Sequence, residues 1–280
     1  RRLVPRALRP MLDLLPPRLP DPQPLPPLVP AHGARRARVA LLAGCAQQVL
    51  EPDITAATAR VLARQGVEVA IPPGQGCCGS LAWHAGAADQ ARALAARNLD
   101  AFPDDVDAIV TNAAGCGSGM REYPLLFAGD PRAERAERVA ARVVDVNAFL
   151  AELGLREPAG ALERPTRVAY QDACHLAHAQ GVRDAPRRLL EAVGNLELVE
   201  PEHWELCCGS AGTYNLERPE VAAQLGERKA RALLDAGAQL VATANIGCLT
   251  QVQAHLRALG ADVPVLHTMQ LLDRAAARGA

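Results

Sequence analysis

Two nearly identical stretches decide the fold of this chain: GQGCCGS at residues 74–80 and WELCCGSAG at residues 204–212. Each holds two adjacent cysteines followed by Gly-Ser. Between Cys45 and the first pair there are 31 residues, and between that pair and Cys116 there are 37; the second pair is separated from its single cysteines by 32 residues on the N-terminal side and 39 on the C-terminal side. Corresponding cysteines are offset by 129, 130 and 132 residues. Such a constant offset indicates an internal duplication.

The segments between the cysteines alternate between strand and helix patterns. Residues 38–44, RVALLAG, are typical of a buried strand, and residues 53–66, DITAATARVLARQG, are typical of a helix that ends at a glycine. The segment TNAAGC at 111–116 matches TANIGC at 243–248. We therefore predict an α/β fold in which two duplicated parallel-sheet α/β halves are related by pseudo-twofold symmetry.

Proline-rich segments set the predicted domain boundaries. Residues 15–30, LPPRLPDPQPLPPLVP, contain too much proline for a helix or a central strand. We expect a proline-rich linker or N-terminal extension over 1–33, a first cysteine-rich domain over 34–156 and a second over 157–280. The two domains would meet at a polar, proline-bearing joint.

Composition excludes two function classes. Thirty basic residues balance 31 acidic ones, so no net positive charge favours nucleic acid, and we expect no nucleic-acid partner. The sequence has no run of about 18 apolar residues, the length a transmembrane helix needs. Eight cysteines in a chain of 280 residues without an export signal favour reduced thiols that act as ligands.

Parallel sheets bring the loops after their strands to one edge, so four thiols of each half are expected to converge. The predicted metal ligands are Cys45, Cys77, Cys78, Cys116, Cys174, Cys207, Cys208 and Cys248. Structural zinc usually takes close pairs separated by two to four residues, whereas a directly adjacent pair points its side chains apart and suits a larger object. Spacing therefore favours an iron-sulfur cluster. Zinc and redox-active thiols stay open as alternatives.

Four glycines accompany the cysteines at matched positions. Gly79 and Gly209 follow the two pairs, and Gly115 and Gly247 precede the last cysteine of each half. Glycine tolerates positive φ and lets the backbone approach closely, so we expect amide groups here to point at cluster sulfur. An isolated glycine at any of these places would be an ordinary turn residue.

These motifs carry a resemblance to a known family. GCCGS and CCGSAGTYNLERPEVA, with their flanking cysteines, resemble the duplicated CCG domain, the cysteine-rich domain of heterodisulfide reductases. The stretches QGCCGSLAWHAG, YQDACHLAHAQGVR and TANIGCLTQ are similar to segments of the iron-sulfur subunits of glycolate oxidases, also called glycolate dehydrogenases. The similarity runs from about Arg38 to the C-terminus.

The resemblance implies an electron-transfer subunit with one 4Fe-4S cluster in each half, working with an FAD-linked flavoprotein that oxidises a 2-hydroxy acid, glycolate to glyoxylate. Longer family members begin with a ferredoxin-like segment carrying further clusters. This chain has no cysteine before Cys45, so we expect that segment to be missing from it. The family places such a subunit in the cytoplasm, or peripherally on the cytoplasmic face of the inner membrane through its complex.

The resemblance also leaves rival functions. Related subunits serve lactate utilisation, glycerol-3-phosphate dehydrogenases or heterodisulfide reductases, and a zinc-stabilised structural or assembly module could use the same thiols. Heterodisulfide reductases end each motif in C-x-x-C, which gives a fifth ligand to a non-cubane cluster. The corresponding residues here are Gly119 and Gln251, so four thiols per half favour an ordinary cubane.

Three histidines lie near the cysteines in sequence. His175 and His178 follow Cys174, and His84 lies six residues after Cys78. They could hydrogen-bond cluster sulfides, tune the reduction potential or relay a proton. Each could equally be a turn or rim residue. We predict no catalytic acid or base in this chain, because substrate oxidation would take place on the flavoprotein.

Overall fold

The computed structural model of the chain describes residues 12, 14–16, 18–156 and 159–277. These residues form nine strands in two sheets. The strands are β1 Leu28–Val29, β2 Ala37–Leu41, β3 Val67–Ala70, β4 Ala108–Thr111, β5 Val143–Asp145, β6 Ala161–Gln171, β7 Gly194–Val199, β8 Leu240–Thr243 and β9 Val265–His267. The first sheet has the order β1-β3-β2-β4-β5 and the second β7-β6-β8-β9.

Helices connect the strands. In the first half they are α1 Ala46–Leu50, α2 Asp53–Arg64, α3 Ser80–His84, α4 Ala88–Ala101, α5 Ala114–Arg121, α6 Tyr123–Leu126, α7 Ala133–Arg142 and α8 Val146–Leu153. In the second half they are α9 Asp184–Glu191, α10 Tyr214–Glu217, α11 Pro219–Asp235, α12 Ile246–Ala258 and α13 Thr268–Ala276, after a π-helical turn at His175–Ala179.

The two sheets share one topology. In each half the first strand of the repeat lies centrally, the second pairs on one side, and the third and fourth follow on the other. All these pairs are parallel, with Val39 opposite Val69 and Val168 opposite Leu198. Central residues such as Val39 and Val168 are fully buried, as expected for parallel strands covered by helices on both faces. The predicted fold class of two duplicated α/β halves is confirmed.

The first sheet carries one strand more than the second. β1 pairs antiparallel with β3, with Leu28 opposite Ala70. It lies in the segment predicted as a linker, and the end of that segment is therefore an edge strand of the sheet. The predicted domain boundaries at 33/34 and 156/157 stay predictions, and residues 157–158 lie outside the described part of the chain.

The halves pack through equivalent helices. α2 of the first half lies against α13 of the second, and α8 of the first lies against α9 of the second. Each half thus contributes its first crossover helix and its last helix, which is the arrangement a pseudo-twofold axis produces. One hydrophobic core spans the contact, with Leu62 from the first half and Leu189 and Met269 from the second. Truncating such a buried leucine to alanine typically costs about 2 to 5 kcal/mol.

Among the described helices, none is both long enough and apolar enough to cross a bilayer.

Candidate functional site

The four cysteines of the first half gather at the carboxyl edge of its sheet. Cys45 follows β2 and occupies the position directly before the first residue of α1. The pair Cys77–Cys78 lies in the loop between β3 and α3, and Cys116 lies in the first turn of α5, after β4. We call these four residues the first quartet.

The second half repeats this placement. Cys174 follows β6 and directly precedes the π-helical turn. Cys207 and Cys208 lie between β7 and α10, and Cys248 lies in the first turn of α12, after β8. These four residues form the second quartet. The structure thus brings together, within each half, the cysteines that the sequence predicts to meet.

The sulfur atoms within each quartet interact with one another. A hydrogen bond from Cys45 holds the pKa of Cys77 well below its usual range, and the same contact raises the pKa of Cys45. Cys174 and Cys207 show the same opposite shifts. A hydrogen bond from Cys208 lowers the pKa of Cys248 as well. Each quartet therefore favours a thiolate, which is the form that binds metal, at the first cysteine of the adjacent pair, and the second quartet favours another at Cys248.

The central cysteines are shielded from water, since Cys78 and Cys208 are 4% and 2% exposed. Cys78 also lies 3.4 Å, sulfur to oxygen, from the hydroxyl of Ser80. Buried thiols of this kind lose their solvation, and contacts with Cys116 and Cys77 as well as burial raise the pKa of Cys78. A cation or cluster that replaces their protons would remove this cost.

Glycines shape the backbone beside each pair. Gly79 and Gly209 have φ of +83° and +87°, a left-handed conformation that favours glycine. Their amides donate to the sulfurs of Cys77 and Cys207, each with a nitrogen-to-sulfur distance of 3.4 Å. These N–H groups therefore point at the sulfur of a cysteine, and contact with cluster sulfide stays a prediction.

The expectation of positive φ is wrong for Gly115 and Gly247. Both lie in the first turn of a helix, α5 and α12, where φ is negative. At Gly247 the lack of a side chain lets the helix backbone lie close to Ser210, because a Cβ there would come within 2.9 Å of the Ser210 hydroxyl. The Gly115 amide instead donates to the side-chain oxygen of Asn245, in the other half, at 3.3 Å.

The two quartets face one cavity. It has a volume of about 340 Å³, and seven of the eight cysteines line it, all but Cys207. Hydrogen bonds join the two halves next to this cavity. The Ala114 amide donates to the Ala244 carbonyl at 3.2 Å, and the Gln180 side chain donates to the Ala114 carbonyl at 2.9 Å. The helices that carry Cys116 and Cys248 therefore begin against each other.

Two of the three predicted histidines line this cavity. His84, from the first half, stacks on His175, from the second, with ring centroids 6.0 Å apart and planes 9° apart. His84 also lies 3.3 Å from a carboxylate oxygen of Glu122, nitrogen to oxygen. His178 does not join them, because its ring packs against Trp204, centroid to centroid 6.2 Å.

The positions that would hold a fifth ligand are occupied by packing. A Cβ on Gly119 would overlap the hydroxyl of Ser80 and lie 2.7 Å from its Cβ, so no side chain fits there. Gln251 is buried, and its carbonyl oxygen accepts a hydrogen bond from Asn215 at 3.0 Å. Each quartet is therefore a four-thiol set with a closed fifth position.

The donor set fits an iron-sulfur cluster. Each half supplies four thiols, a glycine amide aimed at sulfur and buried walls around the central pair, which are the features that hold such clusters. Within the described residues, no three or more His, Cys, Asp or Glu side chains are grouped so as to hold a single metal ion. The sulfurs instead lie around a shared cavity larger than one ion.

Sequence reasoning missed the residues that support the cysteine loops. In the first half Asn98 accepts from the Gly76 amide and donates to the Cys77 carbonyl, at 2.9 and 3.0 Å. In the second half the ammonium of Lys229 holds the turn before Cys207. Arg187, which pairs with Asp172 two residues before Cys174, was missed as well. Lys229 had a signal, as the only lysine among 30 basic residues, but its rarity indicates no role.

Comparison with known proteins agrees with this site. The family model of the CCG cysteine-rich domain matches residues 39–121 and 168–253. The chain is 37% identical to the "Probable glycolate oxidase iron-sulfur subunit" of Bacillus subtilis strain 168, over 98% of this chain and 63% of that protein. It is 35% identical to the "Glycolate oxidase iron-sulfur subunit" of Escherichia coli K12, over 90% and 60% respectively. It therefore spans less than two thirds of these relatives.

A third relative is matched over nearly its whole length. The "Lactate utilization protein A" of Geobacillus kaustophilus is 32% identical over 84% of this chain and 98% of that protein. Among solved structures, a hypothetical protein from Helicobacter pylori aligns with a TM-score of 0.51 at 13% identity, covering 96% of this chain and 53% of that one. That similarity concerns the fold alone. The family match and the duplicated quartets lead to one conclusion: the chain belongs to the CCG cysteine-rich domain family, in two copies.

Proposed function

We propose that this chain is an electron-transfer part of the iron-sulfur subunit of a flavin-dependent 2-hydroxy-acid dehydrogenase, with one 4Fe-4S cluster in each half. The observation that carries the proposal is the pair of four-thiol quartets on one shared cavity. The names of the relatives, glycolate oxidase iron-sulfur subunits and lactate utilization protein A, support it.

Each residue of the site has a defined part in this function. Four thiolates of each quartet would hold one cluster, and a bound four-iron cluster takes up and releases one electron at a time. The amides of Gly79 and Gly209 stabilise negative charge on the ligand sulfurs by donating to them. Burial of Cys78 and Cys208 excludes water, which keeps the site in a low dielectric. The chain's own residues move no proton in this scheme.

The cofactor is tested by anaerobic purification and metal analysis. We expect about eight iron and about eight acid-labile sulfide ions per chain, four for each cluster, and an EPR signal on reduction. Stoichiometric zinc without labile sulfide would instead support the zinc-stabilised structural or assembly module.

The substrate is a finer proposal. We favour glycolate, because the two glycolate oxidase subunits are more similar in sequence than lactate utilization protein A is. The test is to isolate the tagged complex with its flavoprotein under anaerobic conditions and to add glycolate or lactate. Reduction of the clusters by glycolate but not by lactate supports the proposal, and the reverse result replaces glycolate with lactate.

A further inference from the structure

A buried cation lies beside the second quartet. The side chain of Lys229, on α11, is fully buried. Its ammonium donates to the carbonyls of His203 and Trp204, with nitrogen-to-oxygen distances of 2.9 and 3.0 Å. These carbonyls belong to the turn that leads into Cys207–Cys208. In the described part of the chain, no carboxylate lies within 4.0 Å of this ammonium.

A buried ammonium without a counter-charge is costly, and two carbonyl dipoles offset only part of that cost. Burial lowers the pKa of Lys229, and negative charge on Cys208 is the strongest influence that opposes this shift. Asp172 and Glu205 also act on it, but Asp172 already pairs with Arg187 at 2.7 Å, and Glu205 is half exposed to water and lies 3.9 Å from His203. The uncompensated negative charge that faces Lys229 is therefore that of the second quartet.

Among the described residues of the first half, no buried ammonium takes the equivalent place, and the Arg97 guanidinium that lies near Gly76 is exposed. The residue 130 positions before Lys229 is Leu99, which is buried among apolar side chains. Its neighbour Asn98 holds the loop before Cys77 with two neutral hydrogen bonds. The two halves thus support equivalent loops in different ways, one with a charge and the other without.

We propose that Lys229 raises the reduction potential of the second-half cluster and so makes that half the preferred place for the electron. This inference rests on the proposed function. Reduction adds one negative charge to a cluster, and a fixed positive charge nearby stabilises the reduced form more than the oxidised form. An electron on a first-half cluster would then pass to an oxidised second-half cluster, which would gain that one electron, and no proton would move with it.

The experiment separates charge from anchoring with three substitutions in the cluster-loaded chain. Lys229→Gln keeps a donor for the carbonyls without the charge, Lys229→Met removes both, and Lys229→Arg keeps the charge. Asn98→Ala is the matched control, because it removes a neutral anchor from the first half. Redox titration followed by EPR measures each potential, and Cys78→Ser and Cys208→Ser identify which signal belongs to which half.

We expect Lys229→Gln and Lys229→Met to weaken reduction of the second-half cluster at least tenfold, which for one electron is about 59 mV. The first-half cluster should keep its potential in both, and Lys229→Arg should keep both potentials. Asn98→Ala should shift neither by that amount. An unchanged second-half potential in Lys229→Gln and Lys229→Met would overturn the proposal, as would equal shifts of both clusters.

Failure of the proposed function is recognisable in the same samples, because wild-type chain would then contain no labile sulfide. If the neutral variants alone lose the second cluster, thermal unfolding of the iron-free chain decides. If Lys229 acts on the cluster and not as an anchor of the fold, iron-free Lys229→Met should be at least as stable as iron-free wild type, since a buried unpaired charge has been removed. Lower stability would show an anchor and overturn the proposal.

Discussion

The two halves of the chain share a backbone but differ in what supports it. Both have the same strand order and the same glycine amide donating to the first cysteine of the adjacent pair. Around the first quartet the supporting groups are neutral, namely Asn98 and Tyr123, whose hydroxyl donates to the Cys78 carbonyl at 2.9 Å. Around the second they are charged: Lys229 and the Asp172–Arg187 pair.

The comparison of the two halves shows which parts of the repeat are needed to build the site. The cysteines, the left-handed glycine and the strand ends are the same in both copies, because they place sulfur atoms. The supporting side chains have diverged, since carbonyls and amides can be satisfied by either neutral or charged partners. Each half can therefore be perturbed on its own, and the comparison yields predictions that distinguish them.

The largest effect is expected from removing a buried ligand in one half. Cys78→Ser and Cys208→Ser should each lose about half of the bound iron and sulfide, because a cluster seldom survives with one thiolate missing. Iron and sulfide analysis of both variants measures this. A Cys78→Ser chain that keeps all its iron would show that the first quartet holds no cluster, and the two halves would then differ in function as well as in support.

How far the sequence predicts this site depends on the range of the contacts. The alternation of strands and helices and the gathering of each quartet follow from local patterns and from the cysteine offsets, and the closed positions at Gly119 and Gln251 are visible as missing cysteines. The shared cavity could not be predicted, because it depends on contacts such as Gly115 with Asn245, 130 residues apart. The helical φ of Gly247 was missed for another reason: the TANIGC pattern marks a turn equally well.

The second prediction breaks the ion pair that exists in the second half. Asp172 is 3% exposed, and Arg187 binds it through two nitrogens at 3.0 and 2.7 Å. Arg187→Met leaves that carboxylate buried without a partner, so we expect the free energy of unfolding to fall by about 3 to 5 kcal/mol. Urea unfolding measures the change.

The matched variants for this prediction separate charge from packing. The double variant Arg187→Met with Asp172→Asn removes both charges of the pair and should recover most of the loss. Arg231→Ala, which removes an exposed pair with Glu227 on the same half, should change stability by less than about 0.5 kcal/mol. If the double variant is as unstable as the single one, packing rather than charge explains the effect.

The third prediction compares the two left-handed glycines. A Cβ at Gly209 would overlap the carbonyl oxygen of Ala222, whereas a Cβ at Gly79 would lie 3.0 Å from that of Ala91. Left-handed φ costs alanine about 1 to 2 kcal/mol at either place. We expect about 1.5 kcal/mol for Gly79→Ala and about 3 kcal/mol for Gly209→Ala, which adds the overlap. Equal losses in urea unfolding would contradict the steric difference.

The smallest effect is expected in the wild-type pH dependence, because two equivalent helix caps oppose each other. Asp145 caps α8 and His267 caps α13, each accepting from the amide two residues on, at 2.8 and 3.1 Å. Both are fully buried. Burial raises the pKa of Asp145 to about 6 and lowers that of His267 to about 4. Folding thus favours the protonated carboxylic acid of Asp145 and the neutral imidazole of His267.

The two pKa shifts make stability depend on pH in opposite directions. The folded chain binds the Asp145 proton more tightly than the unfolded chain, so this stabilisation is complete below the ordinary value of 3.8 and is lost as pH rises through about 6. His267 stabilises the fold above its ordinary value of 6.5 and loses this as pH falls through about 4. Each pKa shift corresponds to about 3 kcal/mol in the free energy of unfolding. Between about pH 4 and pH 6 one contribution falls while the other rises, so they cancel to within about 1 kcal/mol.

Single substitutions should reveal the pH dependence of stability that each cap causes on its own. Since asparagine also caps helices, Asp145→Asn keeps the cap, and its stability should rise by about 3 kcal/mol from about pH 4 to pH 7, the His267 contribution alone. His267→Asn should show the opposite slope, falling between about pH 4 and pH 6. Urea unfolding of iron-free chains, referred to the double variant, measures both without the acid-labile clusters. Parallel curves for all variants would mean that neither cap is held in one protonation state, and that the halves are equivalent here after all.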